Sequence, residues 1–440
     1  MKTNRRTFLK AASVLSAAPF ILPSRVWAAD VNPSDKLTMG FIGMGKQSYH
    51  LLGSFLQQPV VRVVAVCDVD TTRRTHAQQR VNEFYTAKPE MGSPECAAYV
   101  DFQELIDRGD IDAVCIATPD HWHAIPVLAA LNAGIDVYCE KPLTHNIQEA
   151  VEIIDAVKDN KAVLQTGSMQ RSMEEFRVAC ELVQNGAAGK ISRVECSFGP
   201  PGISCDLPEE EMEPGLDWER WVGPGPMRPY NAVLSPRGVH DHFPNWRTYK
   251  EYGGGMVCDW GAHHLDIAQW GLDMDDSGPK LITPPEDPNA VEGAVMTYKN
   301  GVEVIHKGGF GVHFFGDEGE VKVNRGKFEF WRDGKQIQGK GGSLTSTIVH
   351  VQKEYLANAK IKLYESRHHI KDFLECVASR KKPVTNEIIG GRTAICCHLM
   401  NQAYYNHETI KWKPKRMRFA WRSGEKAWLT RDYREPYTLS

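Results

Sequence analysis

The stretch Cys258–Trp270, CDWGAHHLDIAQW, holds the densest group of side chains that could do chemistry. If a helix starts at Asp259, its 3.6-residue period places His263 and Asp266 on one face, and His264 points about 100° away from His263. Three interpretations are open for these residues. They could form a metal site, an acid–base pair, or a polar helix face with an aspartate cap.

A second informative group lies near the start of the chain, where GFIGMGKQSYH places Gly43-x-Gly45-x-x-Ser48 between a buried strand and a helix. Such glycines permit a tight turn and let the backbone approach a pyrophosphate at the helix N-terminus. Asp68 ends the next apolar run, near the spacing of about 20 residues expected for an acid that binds ribose hydroxyls. The pattern predicts a dinucleotide-binding turn.

The cofactor expected at this turn is NAD, because the Asp68 carboxylate would repel the 2′-phosphate of NADP. Arg73 and Arg74 follow closely and could accommodate that phosphate, so NADP stays an alternative. The predicted cofactor-binding residues of this region are Gly43, Met44, Gly45, Lys46, Asp68 and Arg73.

The elements that must position these residues follow from the hydrophobic pattern. From Lys36 onward, short apolar runs alternate with helical stretches, which predicts a parallel sheet covered on both faces. We therefore expect a doubly wound α/β domain over residues 36–160. Later runs alternate polar and apolar residues and end in turn residues, which predicts an α+β domain over 161–440 with a large, mostly antiparallel open sheet. Its C-terminal helices can pack back on the first domain.

The segment AVCIATPDHWHAIPVLAALNAGIDVYCEKPLT resembles the signature of the Gfo/Idh/MocA oxidoreductases in the order and spacing of ATPxHxH, AxxAG and EKP. The resemblance extends over nearly all of the chain after the first 28 residues. It implies an N-terminal NAD(P)-binding Rossmann domain and a second domain whose open sheet commonly forms an oligomer interface. A homo-oligomer, dimer or tetramer, is expected on this basis.

The resemblance also implies roles for residues of this segment. Thr118, Pro119 and His121 fall where family members line the nicotinamide end of the cofactor, and Glu140 follows the strand that faces it. Lys141 occupies the position of the family's catalytic lysine. An ammonium beside a nicotinamide can hydrogen-bond the reacting hydroxyl and lower the pKa of a neighbouring base.

In the opening stretch, Asp259-x-x-x-His263 matches the family's pattern of a substrate-binding aspartate and a catalytic histidine one turn later. We expect His263 to be the general base or acid on the alcohol proton, and Asp259 to orient it and to bind substrate. His264 is either a substrate contact or a structural histidine.

The remaining substrate contacts are expected from an arginine and a loop. Arg171 aligns with an arginine near the substrate site of many family members. The loop Asp217–Trp246 and Arg247 offer aromatic rings and a cation, which suit a sugar but equally suit loop packing or an oligomer contact. The predicted substrate-binding residues are Arg171, Trp246, Arg247, Asp259, His263 and His264.

A metal site is the competing interpretation, since His121-x-His123 resembles the two-histidine strand end of metal hydrolases. Hydride transfer to a nicotinamide needs only a base and an aligned C–H bond. No metal is therefore predicted.

The first 28 residues resemble a twin-arginine export signal, with Arg5–Arg6 before Phe8–Leu9–Lys10, an apolar stretch and small residues near Ala28. These residues include lysines and arginines but no acidic residue. The mature protein is therefore more acidic than the full chain, which has a net charge of −3. That balance argues against nucleic acid as a partner, and no membrane span is predicted. Among eleven cysteines there is no CxxC pair, and Cys67, Cys115 and Cys139 are expected to be buried free thiols.

The sequence thus predicts an enzyme of the periplasm or cell exterior, exported folded by the twin-arginine machinery, that oxidises a secondary hydroxyl of a sugar, glycoside or cyclitol. Since no NAD pool regenerates the cofactor there, we expect a tightly bound cofactor and a closed redox cycle. The alternatives are glycoside cleavage assisted by transient oxidation with bound NAD, and a non-catalytic sugar-binding homologue.

Overall fold

The computed structural model describes residues 36–420 and 422–439. The predicted export signal, residues 1–28, lies outside the described residues. Within them, no helix is both long and apolar enough to cross a membrane.

The first domain is built on a six-stranded sheet in the order β3-β2-β1-β4-β5-β6, in which all neighbouring pairs are parallel. Its strands and helices are β1 (Leu37–Ile42), α1 (Lys46–Leu56), β2 (Val61–Cys67), α2 (Thr71–Ala87), β3 (Ala97–Tyr99), α3 (Phe102–Ile106), β4 (Ala113–Ile116), α4 (Ala124–Asn132), β5 (Asp136–Cys139), α5 (Ile147–Asn160) and β6 (Leu164–Thr166). The central strands are apolar except for Thr38 and Arg62, because both faces of the sheet are covered by helices. The predicted doubly wound fold is confirmed. Because β6 pairs with β5, this sheet extends beyond residue 160, where we expected the domain to end.

The second domain contains a ten-stranded sheet in the order β14-β13-β12-β11-β7-β10-β9-β8-β15-β16. Only the β7–β10 pair is parallel among the pairs described, so the predicted mostly antiparallel sheet is confirmed. The strands are β7 (Ile191–Cys196), β8 (Leu281–Thr283), β9 (Val295–Thr297), β10 (Glu303–His306), β11 (Val312–Gly316), β12 (Gly319–Asn324), β13 (Lys327–Arg332), β14 (Lys335–Ile337), β15 (Ile410–Lys413) and β16 (Arg418–Phe419).

The helices of the second part of the chain cover this sheet or return to the first domain. They are α6 (Glu174–Gln184), α7 (Trp218–Val222), α8 (Gly255–Asp259), α9 (Gly261–Gly271), α10 (Leu344–Tyr355), α11 (His369–Ser379) and α12 (Glu387–Asn406). Phe373 of α11 packs edge-on against Phe55 and Tyr138 in the core of the first domain. Helix α11 therefore packs on the first domain, whereas α10 packs in the core of the second domain through Ile348 and Val351.

The helix that we expected to start at Asp259 is divided differently. Asp259 is the last residue of the short helix α8, and α9 begins two residues later without a side-chain cap. All residues of α9 are buried, so the polar-face interpretation of this stretch is wrong. The three cysteines predicted to be buried thiols, Cys67, Cys115 and Cys139, are buried and free.

Candidate active site

A cavity of about 440 Å³ lies where the carboxyl ends of the parallel strands of the first domain face the second domain. The residues after β1, β2, β4 and β5 form one wall, and the segment 234–248, α8 and the β12–β13 turn form the other. The sheet order reverses between β1 and β4, and ligands of doubly wound sheets bind at such a reversal.

The glycine turn between β1 and α1 lies on this cavity and has the geometry of a phosphate cradle. Gly43 has φ +82°, and a Cβ there would lie 2.7 Å from the backbone N of Thr118. A Cβ on Gly45 would meet nothing within 4 Å. Since Gly45 caps α1 without a side chain, the first amides of that helix are available to an anion. The donor set and the open space fit the pyrophosphate of a dinucleotide.

Asp68 forms the wall next to this turn. Its carboxylate accepts hydrogen bonds from the backbone N–H groups of Met44 at 2.6 Å and Asp70 at 2.8 Å. Burial raises the pKa of Asp68, against the lowering effect of nearby Arg73 and these two hydrogen bonds. Met44 does not line the cavity, so the structure does not place it at the predicted cofactor contact. Its N–H group instead holds the carboxylate of Asp68.

The two arginines that could have received a 2′-phosphate are engaged elsewhere. Arg73 donates to Ser235 Oγ and to the carbonyl of Gly238, each at 3.2 Å, so it holds a loop of the second domain. Arg74 donates to the carbonyl of Asp68 at 2.7 Å. Lys46 and Arg73 do line the cavity.

Of the residues after β4 that were predicted to line the nicotinamide end of the cofactor, two lie on the cavity and one does not. Thr118 and Pro119 line the cavity, and the Thr118 hydroxyl is buried without a hydrogen-bond partner among the described residues. His121 lies behind the wall, where its Nε2 is 3.1 Å from the carbonyl oxygen of Trp221. Burial lowers the pKa of His121 to about 3. The structure therefore does not bring His121 to the cavity as expected.

Glu140 and Lys141 follow β5 and lie on the cavity wall. Gln47 donates to Glu140 Oε1 at 3.0 Å, and burial raises the pKa of Glu140 although the Lys141 ammonium opposes this. Lys141 Nζ donates to the carboxylate of Asp259 and, at 3.1 Å, to its backbone carbonyl. This pair connects the two domains across the cavity.

Asp259 is bound by cations and not by the predicted histidine. Burial alone would raise its pKa, but the Lys141 ammonium and the Arg247 guanidinium, whose Nε is 3.7 Å from Oδ1, hold it below its ordinary value. Among the hydrogen bonds of the described residues, none joins Asp259 to His263. The prediction that Asp259 orients His263 is therefore wrong, because the carboxylate at the end of α8 faces Lys141.

His263 lies in the first turn of α9 and lines the cavity. Its Nδ1 is buried without a partner in the described part of the chain. Burial lowers its pKa well below 6.5, and the positive charges of Lys141 and Arg325 lower it further. The imidazole is therefore neutral at neutral pH and can accept a proton.

Trp246 and Arg247, two of the predicted substrate contacts, line the cavity. The Arg247 guanidinium stacks on the Trp246 ring at 4.1 Å from its centroid. His264 is not on the cavity, because its Nδ1 donates to the carbonyl of Ser197 at 2.5 Å and burial lowers its pKa to about 4. Of the two interpretations left open for His264, the structural one fits this position.

Arg171 also lies away from the cavity. It is fully buried, with its guanidinium bound to Asp266 at 2.8–3.1 Å and to Asp275 at 2.7 Å. Its predicted contact with substrate is not found, because both ends of the guanidinium are occupied by these carboxylates. Asp266, which the metal hypothesis offered as a ligand, is thus part of an ion pair. Within residues 36–420 and 422–439, no group of three His, Cys, Asp or Glu side chains is arranged to hold a metal ion.

Trp260, Arg325 and Tyr437 are among the cavity residues that the sequence did not predict. Trp260 is adjacent to Asp259 in the sequence and could have been found from that position. Arg325 lies in an ordinary hairpin turn and Tyr437 near the C-terminus, and nothing in the local sequence distinguishes either residue. Only the tertiary fold brings them to the cavity.

Two family models match the chain. The oxidoreductase family's NAD-binding Rossmann fold matches residues 37–168, and its C-terminal alpha/beta domain matches residues 202–439. Similar curated proteins include glycosyl hydrolase family 109 protein 2 of Shewanella sp. (strain ANA-3), 27% identical over 44% of this chain and 46% of that protein. Inositol 2-dehydrogenase 4 of Saccharopolyspora erythraea is 29% identical over 50% of this chain and 65% of that protein. The chain spans about half the length of the first of these relatives.

Solved structures share the fold over most of the chain. An inositol dehydrogenase homologue from Azotobacter vinelandii, complexed with NADH and myo-inositol, has a TM-score of 0.56 at 17% identity, covering 86% of this chain and 98% of that one. An aldose–aldose oxidoreductase from Caulobacter crescentus has a TM-score of 0.55 at 17% identity, with 86% and 100% covered. With both domain models matched and this two-domain fold, the chain belongs to the Gfo/Idh/MocA oxidoreductase family.

Proposed function

We propose that this protein is an NAD-dependent oxidoreductase that acts on a secondary hydroxyl of a sugar, glycoside or cyclitol. One observation carries the proposal. Lys141 and His263 reach the same cavity as the glycine turn Gly43–Gly45, at the carboxyl ends of the parallel strands. The relatives named as sugar and inositol oxidoreductases support the substrate class.

The residues present suit the chemistry of such a reaction. A bound nicotinamide supplies the acceptor for a hydride from the carbinol carbon. The neutral imidazole of His263 accepts the hydroxyl proton as the carbonyl forms. The Lys141 ammonium, fixed by Asp259, donates a hydrogen bond to the same oxygen and stabilises the negative charge that develops on it.

The cofactor in this proposal is NAD and not NADP. The glycine turn would hold the pyrophosphate, and the half-buried Asp68 would hold the ribose hydroxyls. Arg73 and Arg74 are the cations that a 2′-phosphate would need, but their guanidinium groups already bind protein oxygens. Titrating the purified protein with both nucleotides tests this choice, and tighter binding of NADP would contradict it.

We further propose that residues 1–28 direct export and that the cofactor is loaded before export and stays bound through a closed redox cycle. The basis is the sequence pattern around Arg5–Arg6 and the absence of a nucleotide pool outside the cytoplasm. Replacing Arg5–Arg6 by Lys-Lys should keep the protein in the cytoplasmic fraction. An unchanged periplasmic fraction would contradict the export route.

We also propose that the protein is a homo-oligomer, a dimer or a tetramer. Light scattering of the purified protein tests this.

The central experiment is a nucleotide assay of the gently purified protein, followed by a sugar and cyclitol panel monitored at the absorbance of the reduced nicotinamide. We expect bound NAD and its reduction by at least one neutral polyol. Lys141→Met and His263→Asn should each reduce that rate about 10²- to 10⁴-fold while NAD stays bound. His313→Gln, in a half-buried histidine paired with Glu320 on the open sheet, is the matched control. If the protein binds sugars but none of them reduces the bound NAD, the result supports the alternative of a non-catalytic sugar-binding homologue.

A second candidate is redox-assisted glycoside cleavage, favoured by the relatives named glycosyl hydrolase family 109 proteins. In that reaction oxidation and re-reduction of one hydroxyl cancel, so the base His263 acts without net change of the nucleotide. Nitrophenyl glycosides distinguish the two. Release of nitrophenol without accumulation of NADH, lost in His263→Asn, supports cleavage, whereas NADH accumulation without nitrophenol supports simple oxidation.

A further inference from the structure

Arg325 lies in the turn between β12 and β13 and reaches the cavity from the second domain. Its guanidinium stacks over the Trp260 ring at 4.6 Å from the centroid. Among the described residues, no ion pair and no side-chain hydrogen bond to this guanidinium is found. Arg325 is thus an exposed cation on the cavity wall, with an aromatic support and no acceptor among the described side chains.

Arg325 is one of three cations grouped at the His263 end of the cavity. Lys141, Arg247 and Arg325 surround Asp259, and that single carboxylate is already hydrogen-bonded to Lys141. Asp68, Asp101, Asp120 and Glu140 also line the cavity. Lys141 and Arg247 each lie within 4 Å of the Asp259 carboxylate, whereas Arg325 has no ion pair among the described residues.

The proposed cofactor does not account for the two arginines of this group. The groups that fit a pyrophosphate, the glycine turn and Lys46, belong to the first domain. Arg247 and Arg325 come from the second domain and flank Asp259 and His263, where a nicotinamide would bring no negative charge. Arg247 is half-buried and Arg325 is exposed. A guanidinium group binds an anion of complementary geometry, and a carboxylate is the planar partner that accepts two parallel N–H bonds.

From this juxtaposition we infer that the preferred substrate is an acidic sugar, whose carboxylate is bound by Arg325 with Arg247 nearby. The inference rests on the proposed function, because it assigns the oxidised hydroxyl and the carboxylate to one molecule. Trp246 and Trp260 hold the two guanidinium groups in place and offer flat apolar surface to a sugar ring.

The test uses pairs of sugars that differ only at C6: glucuronate and glucose, galacturonate and galactose, and mannuronate and mannose. Calorimetry on the NAD-loaded protein measures the dissociation constant of each. We expect at least one uronate to bind 10-fold or more tightly than its neutral partner, with a preference that weakens as salt is added. Arg325→Gln should remove about 10- to 100-fold of uronate affinity and leave neutral sugars within about 2-fold, whereas Arg325→Lys should keep part of the preference.

Lys327→Gln is the matched control, since it removes an equal charge from the exposed start of β13, outside the cavity. Equal binding of every uronate and its neutral partner, or an equal loss in Lys327→Gln, would overturn the inference. Failure of the proposed function is a different result. It would be a wild-type protein that neither holds NAD nor reduces it with any sugar, whichever sugars it binds. Reduction of NAD by neutral sugars alone would leave the proposed function standing and refute the acidic substrate.

Discussion

The imidazole of His263 is surrounded by positive charge, and this sets the pH range in which it can accept a proton. Burial is the largest cause of its lowered pKa, followed by Lys141 and Arg325. Because protonation inactivates a general base, the acid limb of kcat/KM should lie well below pH 6.5 in the wild-type protein.

Arg325→Gln should move this acid limb to higher pH, since removing a neighbouring cation favours the protonated imidazole and raises its pKa. The pH dependence of kcat/KM with a neutral sugar measures the shift, because the carboxylate contact is then absent. Lys327→Gln should leave the limb in place. A limb that stays fixed or moves to lower pH in Arg325→Gln would show that His263 is not the titrating base.

Single residues also show where sequence reasoning was sufficient. Lys141 and His263 were found because a motif marks each position, and both line the cavity. The partner of Asp259 was missed, because helical spacing relates residues on one element and says nothing of a lysine 118 positions away. Arg325 carries no local signal at all, so only the docking of the two domains identifies it.

At the level of elements, the two glycines of the turn between β1 and α1 have different roles. Gly43 is required by the fold, and Gly45 leaves space for the ligand. Gly43→Ala should destabilise the protein by about 1–3 kcal/mol, because its φ is +82° and a Cβ would press on Thr118. Gly45→Ala should leave the unfolding temperature of the nucleotide-free protein unchanged but weaken NAD binding, because its Cβ enters the open space of the cradle. Thermal unfolding and NAD titration of both variants measure this. Full NAD affinity in Gly45→Ala would exclude the turn as the phosphate site.

The buried ion pair of Arg171 connects α9 to the short turn that follows β6. Arg171→Met should cost about 3–5 kcal/mol of unfolding free energy, because it leaves the carboxylate of Asp266 buried without its cation. Urea denaturation measures the loss. Arg367→Met is the control, since that arginine pairs with Glu365 at the surface and its removal should change stability little. Unchanged stability with a raised KM would restore the substrate role that the sequence suggested for Arg171.

Among elements, the alternation of apolar strands and helices predicted the first domain because a sheet buried on both faces leaves a continuous signal. The break between α8 and α9 was not predicted, since the sequence CDWGAHH contains no proline and only one glycine, and a single helix satisfies its spacing. The ion pair of Asp266 was likewise not predicted, because its partner Arg171 lies 95 residues earlier in the sequence.

On the scale of the whole molecule, segments far from the glycine turn in sequence line the cavity. The loop of the second domain bonds to the start of α2, where Thr71 N–H donates to the carbonyl of Gly215 at 2.9 Å. The C-terminal tail binds the same loop, where Arg434 donates to the carbonyls of Gly223 and Glu219 at 2.9 Å. These hydrogen bonds hold the 215–223 segment to the first domain and to the tail, and the proposed retention of the cofactor can be tested there.

Tyr437 is the tail residue that lines the cavity, and its ring packs edge-on against Trp122 at 5.1 Å. Tyr437→Ala should speed the release of bound NADH roughly 3- to 10-fold, because an aromatic contact of this kind contributes about 0.5–1.5 kcal/mol. Stopped-flow fluorescence after mixing with excess NAD measures the rate, and Asp432→Asn, at an exposed tail position, is the control. Equal release rates in all three proteins would mean that the tail does not retain the cofactor. A closed redox cycle would then require retention by the glycine turn and Asp68 alone, and the Gly45→Ala variant would show the larger effect on release.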